Sequence, residues 1–326
     1  MNTKNIFFLS SILIAVIFFS FFVYLSTFFS IRIVNISLSS YQQILSNFSF
    51  SILDFFVYLQ KPLLFILGTG VCFAVEGYLV GWNNCSFRSI MNLASPSART
   101  DIFYIWLKIS GLSDIIFNLI FLGFGFYFIS IISDHSLIKV NNYIIEFILT
   151  VFLITFIHYF YHRALHHPVL WELHKLHHSA DEMNIFTASR EHPLVVAVYV
   201  ILISIPSAIF GIRPEVIFVY KSLEGFYNLF LHSKVDLFPK FTESFMISTT
   251  AHHIHHSDDP AHYNKNFGMV LNIWDRIFLT YVAPDKNKKL NFGIEDDNYN
   301  KNLYFKDIII IPIRWIKNLT AKESTN

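Results

Sequence analysis

The chain has 326 residues, 54% of them hydrophobic and 14% charged, with a formal net charge of +1 and a mean hydropathy of +0.48. Soluble domains carry about 25% charged residues, so this composition excludes a freely soluble protein and indicates a membrane one. The net charge by itself says nothing about nucleic acid, but there is no basic stripe and no glycine-rich phosphate loop, so nucleic acid and nucleotides get no support as partners.

Elements follow from the apolar runs, since a bilayer span needs about 20 mostly apolar residues. Ile6–Phe29 meets this without a charge; it is too long for a signal-peptide core, no small-residue cleavage site follows, and it reads as a retained span. Leu63–Val80, with Glu76 near its end, is the second span and Leu112–Ile132, with Asp114 at its start, the third. Tyr143–Tyr161 carries Glu146 and runs directly into a group of histidines. Leu194–Ile212 is long enough to span and should kink at Pro206. Val216–Leu231 is shorter, contains Lys221 and Glu224, and either spans or dips in and returns. From about Ala283 the chain is a polar tail, expected to be partly ordered against the histidine site and frayed after Asn318.

The expected fold is therefore all-α and polytopic, with four to six hydrophobic helices and a cytoplasmic helical cap. Residues 1–142 form an N-terminal transmembrane region, 143–282 a catalytic domain and 283–326 the tail. The cytoplasmic assignment rests on basic residues. Only Lys4, Arg32, Lys61, Arg88, Arg99, Lys108 and Lys139 precede His162, of 24 Lys and Arg in all. Cys72 and Cys85 are too few for a disulfide framework, lie near no histidine cluster, and read as buried free thiols.

Of 15 histidines, all but His135 lie between His158 and His262, and eight form three clusters. These are His162-Arg-Ala-Leu-His166, His174-Lys-Leu-His177-His178 and His252-His-Ile-His255-His256. Spacings of three and four residues put side chains on one helical face, so each cluster can aim two or three imidazoles at one point. Eight imidazoles suffice for two metal ions. His253 falls off the face shared by His252 and His256, and reads as a support for a ligand or as exposed. His192 and His232 are lone histidines, each open to a ligand role or a structural one; Glu224 and Asn228 precede His232 on the same face. His158 lies one turn before His162 within a span, where an ionisable group is expensive, and is a candidate ligand, a support for one, or a packing residue. His135, His167 and His262 read as surface residues.

All-nitrogen sites without thiolates suit iron, zinc or copper. Structural zinc favours cysteine and a lone catalytic zinc needs only three protein ligands. Two ions with eight nitrogen ligands beside lipid point instead to redox chemistry, which a pair of irons could support; spacing narrows the choice of metal without fixing it, and zinc can replace iron in purified protein.

In the order His162-Arg-x-x-His166, Leu170-Trp-x-x-His174-x-x-His177-His178-Ser, Arg190-x-His192-Pro193, His252-x-x-His255-His256, Asn266-Phe-Gly268 and Asp275-Arg-Ile-Phe, the chain resembles the fatty acid hydroxylase/sterol desaturase superfamily. The resemblance covers roughly Thr150 to Tyr281. It implies an integral membrane di-metal oxygenase that uses O2, an external electron donor and a lipid substrate, with the eight clustered histidines as ligands. His192 and His232 fall where relatives often carry histidine. Two departures stand out: Thr155 and His158 occupy positions where relatives usually have Asp and Tyr. The late Phe278-Leu-Thr-Tyr281 is a milder change from Phe-Gly-Thr-Tyr.

The expected activity is O2-dependent hydroxylation of a C–H bond in a sterol, fatty acyl or ether lipid. Desaturation on the same site is the nearest rival, and hydroxylation next to an ether oxygen would cleave an ether lipid. No haem motif, flavin fingerprint or iron–sulfur cysteine set supplies electrons, so an electron-transfer protein must. A metal-binding transporter or sensor without catalysis is the rival from another class, and it would need polar residues forming a path through several spans.

Overall fold

A computed structural model describes residues 52–91, 95–110, 112–113, 138–236, 239–285, 289–295, 299 and 303–323. The expected spans Ile6–Phe29 and Leu112–Ile132 lie outside them, apart from Leu112 and Ser113. The described residues are helical, with no strand beyond two isolated bridges, Met246 with Leu271 and Ser257 with Phe292. In chain order the helices are α1 (Ile52–Val80), α2 (Ser86–Met91), α3 (Pro96–Ile109), α4 (Tyr143–Leu165), α5 (Trp171–His178), α6 (Pro193–Phe210), α7 (Pro214–Leu231), α8 (Thr249–His255), α9 (Ile273–Ile277) and α10 (Phe305–Glu323).

The organising element is α4. Asn142 caps it, its side chain accepting from the amides of Ile144 and Ile145 at 2.9 and 3.2 Å. Its sequence has two stripes with a spacing of four residues. Glu146, Thr150, Ile154, His158 and His162 are buried, whereas Ile144, Ile148, Phe152, Phe156 and Phe160 are exposed. The stripes are offset by two residues, about 200° around a helix, so they occupy opposite faces. A large apolar outer face is unfavourable in water and natural in lipid. Among the described residues α4 is also the only helix both long and apolar enough to cross a bilayer; Phe65–Val80 and Pro193–Pro206 are shorter apolar stretches. α6 remains helical through Pro206.

The inner face of α4 packs against α6 and α7, while α5 and α9 meet it lower down. Glu146, Glu76, Lys221 and Glu224 all have polar partners. Glu146 binds the Arg213 guanidinium through two contacts of 2.6 and 3.0 Å, fixing the start of α7. Glu76, wholly buried, accepts from the amide and hydroxyl of Ser86 and from the Lys234 amide, tying α1 to the start of α2 and the turn after α7. Lys221 contacts Glu224 within α7.

The tail does not fray at Asn318: α10 continues to Glu323 and packs on α5. Apolar contact explains the order, because Ile311 is buried in the cluster holding Leu173 and Leu176 of α5 and Leu165 of α4. Glu172 accepts from the Tyr299 hydroxyl at 2.6 Å on the same side.

Candidate metal centre

Nine buried or nearly buried histidines converge where α4, α5, α7 and α8 meet. They form two groups, each with ligand atoms within 4.8 Å of one another: His162, His166, His174, His178 and His255, and His177, His232, His252 and His256. The eight clustered histidines are all present, and His232 joins the second group.

Helical geometry explains the partition. Neighbours on a helix point about 100° apart, so His177 and His178 diverge into different groups, as do His255 and His256. On α5 the i,i+4 pair His174 and His178 enters the first group and His177 the second. At α8 the relation is reversed: His252 and His256 enter the second group and His255 the first. Each His-x-x-His-His motif therefore bridges both groups. α4 ends at Leu165 with His166 as its C-cap, which brings His162 and His166 to the same place.

Backbone carbonyls orient the rings. Nδ1 of His162 lies 2.9 Å from the Phe267 carbonyl, Nδ1 of His255 2.8 Å from that of Lys265, Nδ1 of His177 3.3 Å from that of Arg190, and Nδ1 of His232 2.9 Å from that of Asn228. A carbonyl oxygen only accepts, so each Nδ1 must donate, leaving Nε2 with a free lone pair. That is how metal-bound histidines are held.

The donor set fits a metal. Nε2 of His162, His166, His178 and His255, and both nitrogens of His174, are buried without a hydrogen-bond partner among the described residues. Each such atom would cost about 1–3 kcal/mol if nothing bound it. In the second group Nε2 of His252 lies 3.2 Å from Nε2 of both His232 and His256. His232 has no proton on Nε2 to give, and His252 can either donate one or accept one. With one proton or one lone pair on Nε2, His252 can complete only one of the two contacts as a full hydrogen bond, a conflict that a shared cation removes. Nitrogens 3.2 Å apart and about 2.1 Å from a common ion subtend about 100°, within the range of ordinary coordination. Burial pushes His174, His177 and His178 on α5, and His252, His255 and His256 at α8, well below the usual histidine range, with neighbouring histidines adding to the shift. They are neutral, as ligands must be.

The supporting carbonyls are themselves pinned. Lys265 and Phe267 flank Asn266, which has a φ of 54° and whose side-chain amide donates to the carbonyls of Ala251 and Val282. Asp275 of α9 accepts from the amides of Phe267 and Gly268 at 2.8 and 2.7 Å and from the Thr280 hydroxyl at 2.7 Å. A Cβ on Gly268 would sit 2.5 Å from the Leu271 carbonyl and 2.8 Å from Asp275, which is why glycine is needed there. Arg190, wholly buried, donates to Leu176, Ser97, Asp101 and Ser179, and so holds the carbonyl that faces His177. Sequence reasoning quoted Asn266-Phe-Gly268, Asp275 and Arg190 as motif residues without finding these roles. The sequence marks them only as parts of the motif, since the side chains and amides that they hold lie far from them along the chain or on the backbone.

The remaining candidates separate. His192 has both nitrogens engaged, Nδ1 accepting from the Leu194 amide and Nε2 donating to the Ile308 carbonyl, and belongs to neither group. His158 also lies outside both groups; its ring meets those of His162 and Tyr199, each with centroids 5.4 Å apart. His253 is half-buried, with its ring against Phe292. Thr155 accepts from the Trp274 indole at 3.0 Å and donates to the Val151 carbonyl, so it joins α9 to α4 and orients no ligand imidazole. Cys72 and Cys85 are both buried free thiols.

A helical framework with a long apolar helix encloses two adjacent all-histidine groups, an arrangement suited to binding metal. Residues 147–280 match the family described as fatty acid hydroxylase. The human protein named alkylglycerol monooxygenase is 33% identical over 145 residues, covering 43% of this chain and 31% of that protein. Ornithine lipid hydroxylase OlsE of Rhizobium tropici is 29% identical over 42% of this chain and 41% of its own length. A Delta(7)-sterol 5(6)-desaturase of Aspergillus fumigatus is 30% identical over 44% of this chain and 39% of its own length. The chain thus spans less than half the length of these curated relatives. No solved structure matches.

Proposed function

We propose that the chain is a multi-pass membrane enzyme whose histidine groups face the cytoplasm and hold two iron ions. It uses O2 and electrons from a separate protein to hydroxylate a C–H bond of a lipid. The observation that carries this reading is the pair of adjacent, buried all-histidine groups at the end of an apolar helix. His162, His166, His174, His178 and His255 would hold one ion, and His177, His232, His252 and His256 the other. When bound, a pair of irons with neutral nitrogen ligands supplies O2 activation and an oxidant able to take hydrogen from an unactivated C–H bond; zinc can fill the same nitrogens in purified protein.

The protein's own part is to position and to exclude water. Four carbonyls keep four rings aimed inward, and the close burial of all nine imidazoles keeps bulk water from the reacting carbon. The apolar outer face of α4 lets a lipid approach from the bilayer. The paired state of Glu76, Glu146, Lys221 and Glu224 gives no support to an ion path through the apolar helices, as a transporter would need. Two of the relatives described above carry names of hydroxylating enzymes, and this favours hydroxylation over desaturation.

The test is turnover under 18O2 with a reducing system, using the iron-loaded protein in lipid nanodiscs. Incorporation of one 18O atom into a lipid product supports hydroxylation. A new C=C bond without 18O would transfer the reading to desaturation, and neither product would remove the catalytic reading.

A further inference from the structure

Helix α10 lies beyond the matched residues 147–280 and contributes no histidine to either group. On its inner side Ile311 is buried in the cluster with Leu165, Leu173 and Leu176, and Ile308 and Trp315 pack against that cluster. The opposite side is apolar too. Phe305, Ile309, Ile313 and Ile316 are 52%, 64%, 45% and 54% exposed. At about 100° per residue they fall within about 80° of arc, centred roughly 200° from Ile311. Four large apolar side chains, each about half uncovered on one face, form a continuous patch, and a patch of this kind marks a surface of contact.

Charge decides how such a helix meets lipid. α10 has 19 residues, close to the ~20 that a span needs, but Lys306, Asp307, Arg314 and Lys317 are spread along it, and it is too charged to cross. Lys306 and Lys317 are exposed and stand about 100° and 120° from Phe305, along one edge of the apolar face. Asp307 is turned inward and buried. Cations bordering an apolar stripe, with the acid hidden, suit a helix that lies in the phosphate layer of a bilayer.

The height of α10 in the molecule agrees. The Trp315 indole donates to the Val169 carbonyl at 2.7 Å, in the turn that follows α4. Just before that turn the apolar outer face of α4 ends at Phe160 and gives way to exposed Arg163 and His167. At its other end, Phe305 meets Trp106 and Phe103 of α3, with ring centroids 5.9 and 5.1 Å apart, and Trp106 is itself exposed. Exposed indole rings gather at the boundary between membrane and water.

We propose that α10 is an in-plane anchor on the bilayer surface. Its face of Phe305, Ile309, Ile313 and Ile316 beds into the boundary between headgroups and acyl chains, with Lys306 and Lys317 against lipid phosphates. The inner face packs on α5, which carries His174, His177 and His178, so the anchor fixes the height of both histidine groups relative to the hydrocarbon. The inference rests on the proposed function only for the membrane setting; it needs neither iron nor oxygenation.

Spin labelling of the full chain in nanodiscs of phosphatidylcholine and phosphatidylglycerol tests the anchor. The labels are carried by Ile309→Cys, Ile313→Cys, Lys306→Cys and Lys317→Cys, one at a time, with Cys72→Ala and Cys85→Ala removing the native thiols. Ile148→Cys, on the exposed outer face of α4, is the control for lipid. Collisions with O2, which concentrates in lipid, are compared with collisions with a water-soluble nickel chelate. Labels at Ile309 and Ile313 should lie about 5–10 Å into the boundary layer, those at Lys306 and Lys317 shallower, and that at Ile148 deeper than all four. Water-exposed labels at Ile309 and Ile313, with Ile148 in lipid, would overturn the anchor and leave the membrane setting intact. Labels shielded from both reagents and broadened by a neighbouring spin would also overturn it, giving the face to a second copy of the chain. A water-exposed label at Ile148 would remove the membrane setting, and the anchor with it.

Discussion

Asp275 touches no histidine, yet the orientation of two imidazoles of the first group depends on it. Its carboxylate holds the amides of Phe267 and Gly268, and the segment so fixed carries the Lys265 and Phe267 carbonyls that orient His255 and His162. Asp275 is wholly buried, so solvent screening does not weaken these bonds. A hydrogen bond to a charged acceptor contributes about 1.5–3 kcal/mol, so removing the acceptor of two backbone amides in Asp275→Ala should cost about 3–6 kcal/mol of stability. Asp275→Asn keeps one acceptor and should cost roughly half as much. Loss of an orienting group typically weakens metal binding about 10–100-fold, and here the loss falls on one group only. The second group takes its orientation from Arg190 and Asn228. Metal titration of the purified variants, followed by mass spectrometry, should therefore show one tightly held ion in place of two, alongside a lowered melting temperature. Two ions held with unchanged affinity, or both lost to the same degree, would refute the division of support between the groups.

Other expectations follow from the same geometry. His177→Ala should lower metal content and abolish activity while leaving membrane insertion intact; full occupancy by elemental analysis would remove His177 from the ligand set. Gly268→Ala forces a Cβ against the Leu271 carbonyl and Asp275, so it should mimic Asp275→Ala in metal stoichiometry, and wild-type stoichiometry would contradict the steric account. His192→Gln should leave both metals bound, because both ring nitrogens are spent on the backbone; loss of either ion would show a coupling to the site. A reporter fused after Asn326 should behave as cytoplasmic, and an external reporter would overturn the orientation drawn from the basic residues.

The site was legible in the sequence to the extent that it is periodic. Helical spacing selected the eight clustered histidines and placed α4 from its apolar run. It left His232 undecided, because a lone histidine at the end of α7 reaches the second group only through the packing of α7 against α4 and α8. The division into groups follows from the 100° step between neighbours, although which group each residue joins depends on how α5 and α8 face each other. Backbone carbonyls have no side-chain identity, so the roles of Lys265 and Phe267 could not be read; Asn266, Gly268 and Asp275, which fix them, were visible only as an unexplained motif. Thr155, a conspicuous departure at the level of sequence, has a packing role through Trp274. The tail appeared ready to fray after Asn318 because its last residues are polar, but Ile311 and its neighbours seat α10 on α5 far enough along to keep it helical to Glu323.

The central claim is that nine histidines hold two irons side by side. Mössbauer spectroscopy on protein loaded anaerobically with 57Fe2+, together with metal analysis, tests it most directly. The account predicts about two irons per chain, in sites of nitrogen and oxygen donors only, whose signals become magnetically coupled on oxidation. A single iron, two uncoupled irons, or no retained iron would contradict it.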